Sequence, residues 1–174
     1  MIIHATVPDG GAMLALDTLD GLLGEASRHA EALFDPAGVL MPRIIAVAPD
    51  GALHVYVTPV FTDRAHELSF RRGLPAKLRR DGYRRWCFVS EGWMAEYDTD
   101  QPGGRAVQPK DREDRVEAVL FAAEEARPAE GQPAFVAARR QIFRGALAAR
   151  LMPLVRTVTP SAFVTDQDGV AVFG

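Results

Sequence analysis

The sequence predicts an α+β fold in which an antiparallel sheet of about five strands carries two to three packed helices. The prediction rests first on the order of the patterns, which runs helix, hairpin, helix and then three strands. It rests second on the connections between those last strands, which are too short to hold crossover helices. Strands joined without a crossover are antiparallel, and helices on the sheet bury its apolar surface.

The bulk composition indicates one globular domain. The chain has 174 residues, of which 48% are hydrophobic and 25% are charged, as in ordinary soluble proteins. We expect a single α+β domain over residues 1–174, whose termini could be loosely attached. Cys87 is the only cysteine, so no internal disulfide can form. The sequence shows neither a signal-peptide pattern nor an apolar run near the roughly 20 residues of a membrane span, which predicts a cytoplasmic protein without a membrane partner.

The first helix is predicted to start between Gly11 and Thr18 and to run to residue 34. Apolar residues recur there at helical spacing, with charged residues between them. The Asp-Pro-Ala-Gly sequence at residues 35–38 ends the pattern. The apolar positions are Leu19, Leu22, Leu23, Ala26, Ala30, Leu33 and Phe34.

A second helix is predicted from a cap at Thr62 or Asp63 to a stop at Asp81-Gly82. The Gly-Leu-Pro sequence at residues 73–75 interrupts it, because proline removes a hydrogen-bond donor and disfavours helical geometry at the preceding residue. We therefore expect either a kink or two short helices, with Pro75 in the first turn of the second.

Short β-type runs separated by turn residues mark the strands. The Pro-Asp-Gly sequence at residues 49–51 predicts a hairpin, because proline presets φ and glycine tolerates positive φ. Residues 98–110 are polar and rich in glycine and proline, which predicts a mobile surface loop. A terminal hairpin is predicted within residues 163–173. The other predicted strands are residues 44–47, 53–57, 86–97, 116–123 and 134–143.

The strand at residues 86–97 provides the first candidate site residue. Apolar and aromatic residues fill both alternating sets of positions, so both faces of this strand should be covered. Glu91 lies among them, and a buried carboxylate needs a hydrogen-bonding or charged partner or acquires a raised pKa. Such groups concentrate at functional sites. The structural alternative is an ion pair with an arginine of a neighbouring strand, such as Arg115, Arg139 or Arg140.

An acidic cluster at the start of the next strand provides the other candidates for catalysis. Asp111 and Glu113 are two residues apart, and on a strand they would share a face. Together with Asp114 and Glu91 they could supply oxygen ligands to a divalent cation. The alternative is a solvated strand end with local Arg–Asp pairs. No recognisable metal, nucleotide or catalytic motif is present, so we expect no metal site and no cofactor, and the catalytic residues stay unknown.

The charges are unevenly distributed, although the net charge is only −3. Residues 64–85 are strongly basic and residues 91–130 are acidic, which favours charge matching within the fold. The basic block is also the best candidate surface for phosphate or another partner, because arginine forks match phosphate. The sequence pI of about 5.8 disfavours nucleic acid as a partner without excluding it. The candidate arginines are Arg71, Arg72, Arg79, Arg80, Arg84 and Arg85.

Two segments of this sequence resemble those of a known protein group. Residues 86–94, Trp-Cys-Phe-Val-Ser-Glu-Gly-Trp-Met, precede a polar loop and residues 111–117, Asp-Arg-Glu-Asp-Arg-Val-Glu. These segments are similar to a group of uncharacterised bacterial and phage-borne proteins with a "FVSEAW" strand followed by a strand that begins like "DRED-x-V". The resemblance covers roughly residues 43–143. It implies a shared fold and carries no activity, since none is attached to that group.

Three functions remain open at this stage. The leading hypothesis is a non-catalytic binding or assembly module, with self-association through a sheet edge or through the helix face that carries Leu19. The second is a metal-dependent enzyme acting on nucleic acid, with Glu91 and the acidic cluster beside the basic block. The third is a small-molecule pocket protein lined by Trp86 or Trp93 and Met94.

Overall fold

A seven-stranded antiparallel sheet with two helices forms the body of the protein, which confirms the predicted α+β class. The computed structural model describes residues 16–34, 39–59, 63–95, 111, 113–145, 148–157, 163–165 and 171–173. The helices are α1 (Leu19–Phe34) and α2 (Arg64–Arg80). The strands are β1 (Arg43–Val47), β2 (Leu53–Val57), β3 (Arg85–Met94), β4 (Val116–Glu125), β5 (Phe135–Arg144), β6 (Ala149–Leu151), β7 (Val155–Thr157), β8 (Phe163–Thr165) and β9 (Ala171–Phe173).

The strand order is β2-β1-β3-β4-β5-β6, and β7 pairs with β5 beside β6. β3 is central, as its two-sided apolar pattern predicts, and it pairs with β1 and with the whole length of β4. β8 and β9 pair with each other as a separate two-stranded sheet, which confirms the predicted terminal hairpin. No helix among the described residues is long and apolar enough to cross a membrane. The predicted mobile loop at residues 98–110 lies outside the described residues.

One face of the sheet packs against α1. The predicted apolar stripe of α1 is buried against odd-numbered residues of β3 and β4, including Cys87, Val89 and Phe121. One member of the predicted stripe, Leu33, is exposed. The Leu19 face proposed for self-association is therefore part of the core, and the prediction that it could serve as a free contact surface is wrong. This cluster is the main core of the protein.

The opposite face is covered by α2 over only part of its area. Phe70, Leu74 and Leu78 recur at i, i+4 spacing and pack against Trp86 and Phe88. Leu78 is the only one of the three that is fully buried. Farther along the same face, toward the ends of β3 and β5, no described helix lies on the strands.

The alternative of two short helices is wrong, because a single helix runs from Arg64 to Arg80 with Pro75 inside it, and the alternative of a kink stays a prediction. Proline in a helix interior costs about 3 kcal/mol, and the three apolar contacts of α2 with the sheet offset that cost. The predicted cap at Asp63 is confirmed, since its Oδ1 accepts from the backbone N–H of His66 at 2.8 Å. Gly82 follows the helix with φ of 86° and turns the chain into β3.

The predicted β1–β2 hairpin is confirmed, with the register Ile45 to Val55. Gly51 has φ of 86°, as the turn requires. The described hairpin leaves β2 at one edge of the sheet. β6 and β7 were not predicted, and together they form the opposite edge beside β5.

Candidate functional site

Glu91 lies on the α1 face of β3, where the chain before β1 passes over it. Its side chain is partly buried, and Oε1 accepts a hydrogen bond from the backbone N–H of Leu40. Burial raises the pKa of the Glu91 carboxyl, and the hydrogen bond from the Leu40 N–H lowers it. The charge of Glu117 raises this pKa further, and the charge of Arg144 lowers it. The expectation of a backbone or arginine hydrogen bond is thus confirmed for the backbone.

The arginines expected beside Glu91 have other contacts. Arg140 donates to Glu31 of α1 at 2.9 Å, and the guanidinium of Arg115 lies 4.8 Å from the centre of the Trp93 ring. Arg139 points to the other face of the sheet and donates to Met94. None of these three examples pairs with Glu91 among the described contacts, and the neighbouring-strand arginine that acts on Glu91 is Arg144 of β5.

The acidic cluster does not form the strand face that its spacing predicted. β4 begins only at Val116, and Asp111, Glu113 and Asp114 precede it in exposed turns. Residues two apart in a turn do not share a face, so the argument for convergent carboxylates fails. Within the described ranges, no group of three or more His, Cys, Asp or Glu side chains could hold a metal ion. The enzyme hypothesis therefore has no geometric support from these residues.

The basic block is largely matched by charges and rings of the fold. Arg79 lies 3.8 Å from Glu124, Arg80 lies 3.5 Å from Asp81, and Arg85 pairs with Glu125. The guanidinium of Arg71 lies 4.7 Å from the centre of the Phe88 ring, where a cation–π contact is favourable. Arg72 is exposed and also has a partner.

Arg84 differs from the rest of the block. It is exposed, and within the part of the chain that the structure describes it has no carboxylate partner. The expected charge matching within the fold is thus found for Arg79, Arg80 and Arg85, and for Arg84 the described residues show no such partner.

A cavity of about 510 Å³ lies on the part of the sheet that α2 leaves open; we call it the sheet cavity. Its floor consists of side chains that share one face, because Met94 pairs with Val116 and Ala118 pairs with Gln141. The turn between β6 and β7 forms one wall. The lining residues are Met94, Ala95, Asp114, Val116, Ala118, Arg139, Gln141, Met152, Pro153 and Val155.

Arg139 is the main polar group of the sheet cavity. It pairs with Leu120 of β4 on one side and with Val155 of β7 on the other, so its side chain rises from the middle of the floor. Its Nη1 donates to Sδ of Met94 at 3.9 Å, which is a weak interaction. Among the described residues, Arg139 has no carboxylate partner. Arg139 thus stands in a largely apolar cavity without an ion-pair partner among the described residues, and the carboxylate of Asp114 also lines that cavity.

A second cavity, of about 470 Å³, lies at the end of the sheet where α2 stops; we call it the arginine cavity. It shares no lining residue with the sheet cavity. Three guanidinium-bearing residues line it, and they come from α2, from the start of β3 and from the chain after β4. Its lining residues are Arg79, Gly82, Tyr83, Arg84, Glu125, Ala126 and Arg127.

Tyr83 belongs to a polar cluster beside the arginine cavity. Its hydroxyl lies 2.7 Å from Nδ1 of His54 and forms a hydrogen bond with the hydroxyl of Tyr56. Burial raises the pKa of Tyr83, and its contact with Tyr56 raises that pKa further. The phenol therefore stays protonated, and we interpret this cluster as structural. Burial likewise raises the pKa of the Cys87 thiol, which fits the expected buried, inert cysteine.

Sequence reasoning missed Arg139 and Arg127 as site residues and expected aromatic residues to line a pocket. Met94 does line the sheet cavity, but Trp86 is buried under α2 and Trp93 points to the opposite face. The pattern that could have indicated Arg139 as a site residue is its alternation with the apolar residues of β5. Comparisons with family models, with curated proteins and with solved structures found no match to this chain. The resemblance to the bacterial and phage-borne group stays a prediction.

Proposed function

We propose that this protein is a non-catalytic binding protein that takes a small amphipathic anion into the sheet cavity. The observation that carries the proposal is Arg139, a guanidinium without a described carboxylate partner that stands in an apolar cavity of about 510 Å³. Small-molecule sites have volumes of about 300–1,000 Å³ and combine apolar walls with a few polar groups.

The lining residues favour a ligand with one anionic end and an apolar body. Met94, Val116 and Ala118 offer apolar surface to the body, while Arg139 offers a fork of donors to a carboxylate. Gln141 and the exposed Asp114 stand among the lining residues as further polar groups. The single cation makes a monoanion a better match than a dianion or a neutral lipid.

Assembly through the sheet edge stays a prediction beside this proposal. β2 pairs only with β1 among the described strands, so its outer edge is available for another strand. Nothing in the structure favours a particular occupant there.

The proposal can be tested with octanoate, octanol and octyltrimethylammonium, followed by ligand-observed NMR on the full chain. We expect saturable binding of octanoate, weaker binding of octanol and none of the cation. Arg139→Gln should lower octanoate affinity about tenfold and leave octanol unchanged, because only the charge-assisted bond is lost. Arg156→Gln is the matched control, since Arg156 lies on the neighbouring strand and points to the other face, toward Asp20.

A second pair of variants tests the location of the site. Val155→Trp places a large side chain at the exposed wall of the cavity and should abolish binding of both octanoate and octanol. Val57→Trp adds the same side chain at the opposite edge of the sheet and should change nothing. Equal octanoate affinity in the protein and in its Arg139→Gln and Val155→Trp variants would contradict the proposal.

A further inference from the structure

We infer that the arginine cavity is a second, independent site that binds a small phosphomonoester. Arg79, Arg84 and Arg127 come from three separate segments and line one concave space. Convergence from several elements distinguishes this arrangement from a row of arginines along a helix. Guanidinium groups pair with phosphate through forked, charge-assisted hydrogen bonds.

The local carboxylates do not neutralise these three cations. Glu125 pairs with Arg85, whose Nη1 also donates to the Leu16 carbonyl oxygen at 3.2 Å. Glu124 lies 3.8 Å from Arg79, at the long end of an ion pair. Arg84 and Arg127 are both exposed, and the described residues include no carboxylate partner for either. The cavity therefore carries an excess of positive charge.

The backbone holds the two unpaired arginines at adjacent strand ends. Arg85 and Glu125 form the last pair of the β3–β4 ladder, and the N–H of Ala126 donates to the carbonyl oxygen of Arg84 at 2.7 Å. Arg84 and Arg127 thus begin from backbone positions that are fixed relative to each other. A fixed origin lowers the entropy lost when both side chains close on one anion.

The end of α2 fixes the third cation. Gly82 takes φ of 86°, and its N–H donates to the carbonyl oxygen of Arg79 at 3.2 Å. A Cβ at Gly82 would lie 3.0 Å from Cγ of Pro49, so the turn leaves little room for another residue. This turn brings Arg79 to the same cavity as Arg84.

The volume indicates what accompanies the phosphate. A cavity of about 470 Å³ is larger than a phosphate ion needs and falls in the range of small-molecule sites. The ring of Tyr83 adds a wall whose hydroxyl is already bonded to His54 and Tyr56. A phosphomonoester with a compact organic group would use both the cations and this wall.

The probes are phenyl phosphate and inorganic phosphate, titrated into the full chain by calorimetry and by amide chemical shifts. We expect phenyl phosphate to bind more tightly than inorganic phosphate, with shifts centred on residues 79–84 and 125–127. Arg84→Ala with Arg127→Ala should weaken phenyl phosphate binding about tenfold or more and flatten its salt dependence. Octanoate should not compete, since the two cavities are separate.

Arg80→Ala with Arg156→Ala is the matched control. It removes the same charge from two exposed arginines outside the cavity, and it should weaken binding less than about threefold. An equal loss in the control pair would show a diffuse charge effect and overturn the inference. Absence of saturable binding would also overturn it, as would tighter binding of a short single-stranded oligonucleotide than of phenyl phosphate.

Discussion

The two faces of the sheet differ in how completely they are covered, and the candidate sites follow that difference. The α1 face holds the main core, in which the α1 stripe packs on five strands. The α2 face is covered over β1 and part of β3, and the sheet cavity lies on its open remainder. One face therefore supplies most of the stability, while the other leaves space for a ligand.

The polar contacts show the same contrast. On the α1 face, Arg140 is buried and donates to the Met152 carbonyl oxygen at 2.6 Å, to Glu31 at 2.9 Å and to the Ser27 hydroxyl at 3.3 Å. On the α2 face, the polar contact of Arg139 within the described residues is a weak one to the sulfur of Met94. Adjacent residues of one strand thus have opposite roles, because alternation places them on opposite faces.

The largest expected effect is a loss of stability when a large side chain is removed from the core on the α1 face. Phe121→Ala should lower the free energy of unfolding by about 3–5 kcal/mol, because Phe121 is fully buried beneath α1 and leaves a cavity. Phe143→Ala should cost less than about 1 kcal/mol, because Phe143 is half exposed on the other face. Urea denaturation of both variants measures the difference, and equal losses would contradict the contrast between the faces.

The neighbouring arginines give a sharper test. Arg140→Ala should lower the free energy of unfolding by about 3 kcal/mol, since it removes the donor of the Met152 carbonyl oxygen and of the Ser27 hydroxyl and the partner of Glu31. Arg139→Ala removes the same side chain one residue earlier and should cost less than about 1 kcal/mol. Comparable costs in thermal or urea denaturation would mean that Arg139 also supports the fold.

These contrasts explain what could be predicted from the sequence. The α1 stripe has a clear helical period, the β1–β2 hairpin has a Pro-Asp-Gly turn, and β3 is apolar on both faces. β6 and β7 have three residues each, which is too short for a period, and they form by pairing with β5. The sheet cavity depends on the turn between them, so neither it nor the role of Arg139 could be predicted from local patterns.

The uninterrupted α2 shows how tertiary packing outweighs a local signal. The proline signal predicted a kink or two short helices, whereas α2 is one helix from which Phe70, Leu74 and Leu78 all reach the sheet. Arg71, which a continuous helix directs toward the core, stacks over Phe88 instead of displacing the apolar contacts. The cation–π contact thus accommodates a charged residue on the sheet-facing side of α2.

A smaller effect is expected at Glu91, where charge and hydrogen bonding can be separated. Glu91→Ala should lower the free energy of unfolding by about 1–3 kcal/mol, because the Leu40 N–H loses its acceptor. Glu91→Gln keeps an acceptor oxygen and removes the charge, so at neutral pH it should cost less than alanine. If the alanine and glutamine variants lose equal stability at pH 7, the hydrogen bond is not what Glu91 contributes.

The raised pKa of Glu91 also sets a direction for pH dependence. A carboxyl whose pKa is higher in the folded than in the unfolded protein stabilises the fold below its unfolded pKa, and this contribution is lost as pH rises through the folded pKa. Glu117 has the opposite effect on the pH dependence of stability. Hydrogen bonds from Arg144 lower the pKa of Glu117, so the stability that Glu117 contributes is lost as pH falls. Glu91→Gln should therefore remove the loss of stability on raising the pH above about 4.5, the ordinary glutamate value. The denaturation midpoints of the protein and of Glu91→Gln should be measured from pH 4 to 8. If the two plots of midpoint against pH are parallel, Glu91 has no such role.

The smallest effect concerns the caps of the two helices. Thr18 caps α1 through its Oγ1, which accepts from the Gly21 N–H at 3.0 Å, and Asp63 caps α2 in the same way through His66. Loss of either cap should cost about 1 kcal/mol of helix stability. Because α1 is bound to the core, Thr18→Ala should lower the global free energy of unfolding by that amount.

α2 rests on fewer buried contacts, so Asp63→Ala should mainly increase hydrogen exchange in the first turn of α2 and change global unfolding less. Asp63→Asn keeps the acceptor and should restore slow exchange, whereas a full loss of global stability in Asp63→Ala would show that α2 unfolds together with the core.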